Sequence, residues 1–222
     1  MMWKLTLSVL GFLAAQGAAQ CSREDLIAAT DSLLAAQTAG TPDTVSPLAD
    51  EVAYLEAFKT ANRATGILSQ PLKIDFNRSL HDTTACATYT EIVVTDAAHP
   101  YVIGTQMRFV DGKIANISSL VTDKGDWLFN ATGTYYWASR EKWDPIPEAE
   151  RDSREVIQAA ADAYADLFND KSVQVPWGSP CARLEGGAYT GSGSANDRCD
   201  VGVPNGKLWE STILSPLRTA CN

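Results

Sequence analysis

Glu91 is the one charged residue in the stretch Ala85–Thr95, and Tyr89 and Val93 share its side of an extended chain. A carboxylate held in a dry pocket rises in pKa and can take a proton from a carbon next to a carbonyl. Glu91 is therefore the candidate general base, although the same pattern suits a glutamate facing solvent. Arg108 shares a face with Gln106 and Val110. Its planar fork could clamp a carboxylate or an anhydride, or simply stand exposed. Asp75 falls on the pleat face of Lys73 and Asn77, which fits a third catalytic group or a solvated one. Tyr89, Tyr101 and Trp127 are candidate substrate contacts. Arg183 and Glu185 join them, two apart on an extended segment, with Gly186-Gly187 admitting close approach of another backbone. A structural ion pair explains that last pair equally well. The cluster Trp127, Tyr135, Tyr136, Trp137 and Trp143 lines a ligand mouth or walls off a core. His81 and His99 fall in apparent turns and are expected to be exposed.

Composition removes several other chemistries. The 222 residues carry 18 basic and 27 acidic side chains, a formal charge of −9. Nucleic acid and anionic membrane surfaces, which need clustered Lys and Arg, are poor partners for such a chain. Two histidines in no HExxH spacing and five cysteines in no CxxC pair exclude the common zinc motifs. No phosphate loop and no G-x-S-x-G elbow is present. The expectation is an activity without metal, nucleotide or other cofactor.

The elements that would position these residues begin with a helix over residues 22–37, with Leu26, Ile27, Leu33 and Leu34 at helical spacing and Ser22 as the N-cap. Gly40 and Pro42 stop it. A shorter helical or irregular stretch follows around residues 49–64. The period then becomes two: Leu72, Ile74 and Phe76 alternate with polar residues, and Ala85–Thr95 reads as a second strand. Tyr101–Val110 and Lys113–Thr122 flank Asp111-Gly112, a strong hairpin signal. Gly125–Phe129 adds a short strand. The fold class is α+β, a cystatin-like cone in which four or five antiparallel strands wrap a long helix. Its inward face offers an apolar pocket with a few polar groups.

Residues 1–19 read as a secretory signal peptide: Lys4, an apolar run and small residues at the exit. The protein is then expected in the secretory lumen or outside the cell, where cysteines pair. Cys181 and Cys199 flank a Gly- and Ser-rich loop and are expected to close it; the pairing of Cys21, Cys86 and Cys221 stays open. Asn77, Asn116 and Asn130 head glycosylation sequons and should mark solvent-facing strand ends. Residues 22–131 form the first cone, 132–150 an aromatic and proline-rich linker, and 151–222 a partial second unit with a helix over 147–169. An internal period supports the second unit, since Tyr54-Leu55-Glu56 and Arg183-Leu184-Glu185 lie 129 residues apart.

These segments resemble a known group. The hairpin RFVDGKIANIS is similar to that of SnoaL-like and ketosteroid-isomerase-like proteins, in the nuclear transport factor 2-like superfamily. CATYTEIVV, GDWLFNA, REKWDPIPEAERDSREVIQAAADAYADLF and VPWGSPCARLEGGAYTG look like secreted fungal proteins built from tandem cones. The match covers nearly all of residues 22–204 and departs from the group's pattern after Pro204. The resemblance implies proton transfer next to a carbonyl in a cone-shaped pocket. By analogy with the maleidride dimerising cyclases, it implies a cyclase or isomerase of fungal secondary metabolism. The implied partners are a small carbonyl or anhydride substrate, and a second copy or another protein of the same pathway. A non-catalytic ligand-binding or effector protein is the other reading. An inward carboxylate facing a donor favours catalysis, and an apolar lining favours binding.

Overall fold

The computed structural model describes residues 21–203; the segment read as a signal peptide and Cys221 lie outside them. Ser22 caps the first helix, α1 (Arg23–Ala39), its Oγ accepting the Asp25 N–H at 3.0 Å. Leu26, Ala29, Thr30, Leu33, Ala36 and Gln37 recur three or four residues apart and are all buried, so one stripe of the helix meets one surface. Gly40 ends α1 at φ +66°. A side chain there would stand 2.8 Å from the Ser69 carbonyl oxygen and the Pro71 nitrogen, so the position needs glycine twice over.

Six strands follow: β1 (Leu48–Glu56), β2 (Lys59–Thr60), β3 (Phe76–Asp82), β4 (Ala87–Val94), β5 (Tyr101–Val110) and β6 (Lys113–Thr122). Their order is β2-β1-β6-β5-β4-β3, and every pair is antiparallel except β1 with β6. The fold is α+β, with a curved, mainly antiparallel sheet. The β5–β6 hairpin turns at Asp111-Gly112, both at positive φ. Three expectations change. The stretch expected to be helical or irregular is β1 and β2, because pairing with β6 overrides a locally helix-like sequence. Leu72 and Ile74 reach the core from an irregular segment. Residues 125–129 form turns rather than a strand, with Asp126 accepting the Asp123 N–H at 2.9 Å.

Pleating sorts the sheet into two faces. Ile92, Val94, Ile103, Met107 and Ile117 point inward, against the buried stripe of α1 and the 3₁₀ turn at Ile67–Ser69. Hydroxyls share this face and satisfy one another, Ser79 with Thr90 at 3.0 Å and Thr105 with Ser119 at 2.9 Å. Cross-strand register places three rows on the opposite face: Asp82–Ala87–Arg108–Asn116, Leu80–Tyr89–Gln106–Ser118 and Arg78–Glu91–Gly104–Leu120.

The rest of the chain covers that outer face. Asn130 caps α2 (Ala131–Ala138), which occupies the first half of the expected linker. α3 (Arg154–Leu167) starts later than Pro147, at its own cap, Ser153. The short strands β7 (Leu184–Glu185) and β8 (Ala188–Tyr189) form a hairpin on α2, with Tyr189 stacked on Trp137 at 4.1 Å. This hairpin repeats the β1–β2 turn. Leu55 pairs Thr60 and Glu56 pairs Lys59; Leu184 pairs Tyr189 and Glu185 pairs Ala188, each shifted by 129 residues (184 − 55). Both two-residue turns have positive φ, at Ala57-Phe58 and at Gly186-Gly187.

Two disulfides close the structure. Cys181–Cys199 closes the loop the sequence indicated, and Cys21–Cys86 ties the start of α1 to the β3–β4 turn. By loop-closure entropy a bridge spanning 65 residues contributes roughly 4 kcal/mol.

Two substitutions separate global from local stability. Ile103 is fully buried between α1 and the sheet, so Ile103→Ala should cost about 2–5 kcal/mol in denaturant unfolding. Gly187 is at φ +96°, and a Cβ there would overlap the Asn130 carbonyl oxygen. Gly187→Ala should loosen the β7–β8 hairpin, seen as faster proteolysis within residues 181–203, while the sheet keeps its unfolding midpoint.

Candidate functional site

A cleft of about 720 Å³ runs along the edge strand β3, between the outer face of the sheet and the start of α3. Leu80, Tyr89 and Gln106 form its floor, and four arginines surround it: Arg23, Arg78, Arg108 and Arg154. Asp82 is the only carboxylate among the described residues that line it. In a chain of charge −9, this is a local reversal of sign, and a low-dielectric cleft focuses such a field on anions.

Each arginine is held differently. Arg78 Nη2 meets Glu91 at 3.3 Å, and the Trp143 ring lies 3.4 Å from the guanidinium carbon. That leaves Arg78 Nη1 buried with no hydrogen-bond partner among the described residues. Arg108 donates through Nε to Gln106 at 3.2 Å. Arg154 grips both carboxylate oxygens of Asp82, at 3.0 and 2.7 Å. This fork holds the Asp82 carboxyl below its ordinary range despite partial burial. Arg23 sits beside the Cys21–Cys86 bridge at the start of α1. Tyr89 leans across Gly104, its hydroxyl 2.5 Å from where a Cβ would stand. Burial, and then the Glu91 charge, raise its pKa, so the phenol stays protonated and can donate.

The sequence-derived candidates separate into four places. Arg108 and Tyr89 border the cleft. Glu91 lies on the outer face in register with Arg78, not inside the cone, because Ile92 and Val94 take the inward positions of β4. With Trp127 and Asp126 it lines a separate hollow of about 260 Å³ against Leu184 and Gly186-Gly187. Asp75 accepts the Thr95 N–H and hydroxyl, both at 2.7 Å. It secures the end of β4, and those bonds lower its pKa. Tyr101 packs inward and donates to Gln70 at 3.4 Å. Arg183 bonds Glu185 at 2.6 Å and also donates to the carbonyls of Cys199 and Val201. That pair therefore braces the disulfide loop. Asn77 is exposed on β3, Asn116 is half-buried in the middle of β6, and Asn130 caps α2. Only the first and last are open to solvent.

Arg78, Arg154 and Arg23 were not singled out from sequence, and His81 was expected in an exposed turn. The one available signal was register: a hairpin turning at residues 83–86 places Arg78 opposite Glu91. His99 is exposed as expected, whereas His81 is half-buried within β3. Its Nε2 lies 3.0 Å from Thr30 Oγ1, and Thr30 spends its own proton on the Ile27 carbonyl at 2.9 Å. Nε2 must then carry hydrogen, and Nδ1 is a lone-pair acceptor without a partner among the described residues. Burial, followed by the nearby Arg23 charge, lowers the His81 pKa, with Asp31 opposing. No group of three or more described His, Cys, Asp or Glu residues could hold a metal ion.

Comparison with known proteins adds a family and a set of shapes. A family described as Domain of unknown function (DUF8021) matches residues 150–218, continuing past Pro204. No curated protein matches the chain significantly. Similar solved structures include an NTF-2-like protein of unknown function from Burkholderia xenovorans LB400, at 15% identity over 51% of this chain and 93% of that one, TM-score 0.35. A presumptive ketosteroid isomerase from Kribbella flavida DSM 17836 aligns at 16% identity over 61% and 93%, TM-score 0.36. The presumptive hydroxylase AclR from Streptomyces galilaeus aligns at 12% identity over 66% and 96%, TM-score 0.35.

The environment of His81 has a consequence for acid stability. Its folded pKa is depressed, so the unfolded chain takes the proton first as pH falls below about 6.5. Stability contributed by neutral His81 is present above that value and is lost as pH falls through the folded pKa. Melting temperatures at pH 7.5 and 5.5 should fall further apart in the wild type than in His81→Gln. Equal losses in the two proteins would refute the assignment.

Proposed function

We infer that this chain binds a small anionic carbonyl compound, a carboxylate or an anhydride-derived acid, in the cleft along β3. The observation that carries the reading is Arg78, whose buried Nη1 lacks an acceptor in a cleft bordered by four arginines. A buried donor left unpaired costs about 1–3 kcal/mol, and an incoming carboxylate oxygen would remove that cost. Trp143 and Tyr89 supply flat walls beside the charge, suited to an unsaturated or aromatic body. No side chain that β3 to β6 point inward is a carboxylate. Glu56 on β1 does turn inward beside Tyr54, and the Tyr54 hydroxyl and the Ile67 N–H both donate to it. The criterion set from sequence therefore does not by itself decide between binding and catalysis, and the arginine cleft carries the reading.

A second reading keeps the ligand and adds chemistry. In it the chain is a cofactor-independent cyclase or isomerase of a fungal secondary-metabolite pathway, as in maleidride-type anhydride dimerisation. Its support is His81, a neutral imidazole on the edge strand that borders the cleft, its ring turned inward to Thr30 and its buried Nδ1 unengaged among the described residues. An oxidising lumen or the cell exterior is the setting we infer. The two disulfides are compatible with it, and no helix among the described residues is long and apolar enough to cross a membrane.

Thermal-shift and calorimetric titration with simple carboxylates tests binding. Several should raise the melting temperature, and Arg78→Gln should weaken the best of them at least tenfold, about 1.4 kcal/mol. Unchanged affinity in that variant, or no response to any carboxylate, would overturn the reading. Deuterium uptake next to the ligand carbonyl, followed by NMR, separates the two readings. Uptake lost in His81→Gln supports the enzyme, and no uptake in the wild type leaves a binding protein.

A further inference from the structure

We propose that the cleft takes a ligand with two separated acidic groups, one held by Arg78 and the other by Arg108, with the body between them lying over Leu80, Tyr89 and Gln106. This rests on the reading of the cleft as an anion site, and it narrows the ligand class within that reading.

The outer-face lattice supplies the geometry. Arg78 belongs to the Glu91–Gly104 row on β3, and Arg108 to the Asp82–Ala87 row on β5. They are two strands apart across the sheet and two side-chain rows apart along it, a backbone separation of about 16 Å from ordinary strand spacings. The middle row between them is Leu80, Tyr89 and Gln106. It is uncharged, and two of its three side chains present carbon or a ring face. Leu80 is 53% exposed and Tyr89 42%, so this floor is open to a ligand. Gly104 adds no side chain and lets the Tyr89 ring lie flat along the sheet.

Neither arginine is free to swing to the other. Arg78 is fixed by Glu91 on one side and the Trp143 ring on the other. Arg108 is fixed through Nε by Gln106, which leaves its terminal nitrogens for a ligand. Arg154 cannot substitute, since both its ends are engaged by Asp82. A compact monoacid therefore meets one guanidinium at a time. A molecule with an acid at each end and a flat or apolar middle meets both, and its second contact is intramolecular once the first has formed.

Matched pairs of probes test this by calorimetry: hexanoate against adipate, and benzoate against terephthalate. Each diacid should bind at least tenfold more tightly than its monoacid partner. Arg108→Gln should abolish that advantage while leaving monoacid affinity within about threefold, because Arg78 remains, whereas Arg78→Gln should weaken monoacid and diacid alike. Arg78→Lys and Arg108→Lys, which keep the charge, guard against a folding defect, and each should retain part of the advantage. Equal affinity for monoacids and diacids would overturn the two-ended site while leaving the anion-binding reading in place. Failure of every acid to bind would end that reading instead, and this inference with it.

Discussion

Strand pleating forces Ile92 and Val94 to one side of β4 and Tyr89, Glu91 and Val93 to the other, and α1 can cover only one of those sides. Its apolar stripe takes the first. The second, with a half-buried ion pair at its edge, needs other cover. That constraint explains why the chain after β6 folds back over the sheet. α2 packs on β4 and β5, the β7–β8 hairpin packs on α2, and Trp143 lies over Arg78.

The Arg78–Glu91 pair shows what that cover costs. Their side chains keep 22% and 19% exposure, so both are largely desolvated. An attraction at 3.3 Å barely offsets such desolvation when hydrogen bonds are left unmade. Apolar residues at both positions would give a sheet at least as stable. The pair is better explained by the cleft it borders than by the fold it belongs to.

The sequence was most legible where local signals and tertiary needs agree. The Ser22 cap, the Gly40 stop, the Asp111-Gly112 hairpin and the Cys181–Cys199 bridge all appear as expected. It was least legible where pairing is distant. Leu48–Glu56 carries three acids and two alanines, a composition that suits a helix, yet parallel pairing with β6 some sixty residues later makes it a strand. Ala131–Ala138 has aromatic residues of strand-like propensity, yet the Asn130 cap and burial of Thr134 and Ala138 make it a helix. Glu91 was misjudged for a related reason. Both faces of β4 carry apolar side chains, so period-two patterning could not say which face meets α1. The arginine cleft was illegible for the same reason, since its members come from α1, β3, β5 and α3.

The two helices that reach the site open on the same three residues. Ser22-Arg23-Glu24 and Ser153-Arg154-Glu155 open α1 and α3 in the same way, a capping serine followed by an arginine and a glutamate. An arginine in the first turn of a helix works against the dipole, at a cost of about 0.3–1 kcal/mol. The glutamate after it, and Asp82 in the case of Arg154, offset that cost without making the arginine useful to its helix. Helix stability therefore explains neither cation. Their common position does, because both side chains border the cleft along β3, where this acidic chain turns basic. Each of the two helices thus contributes one cation from its first turn to the cleft along β3.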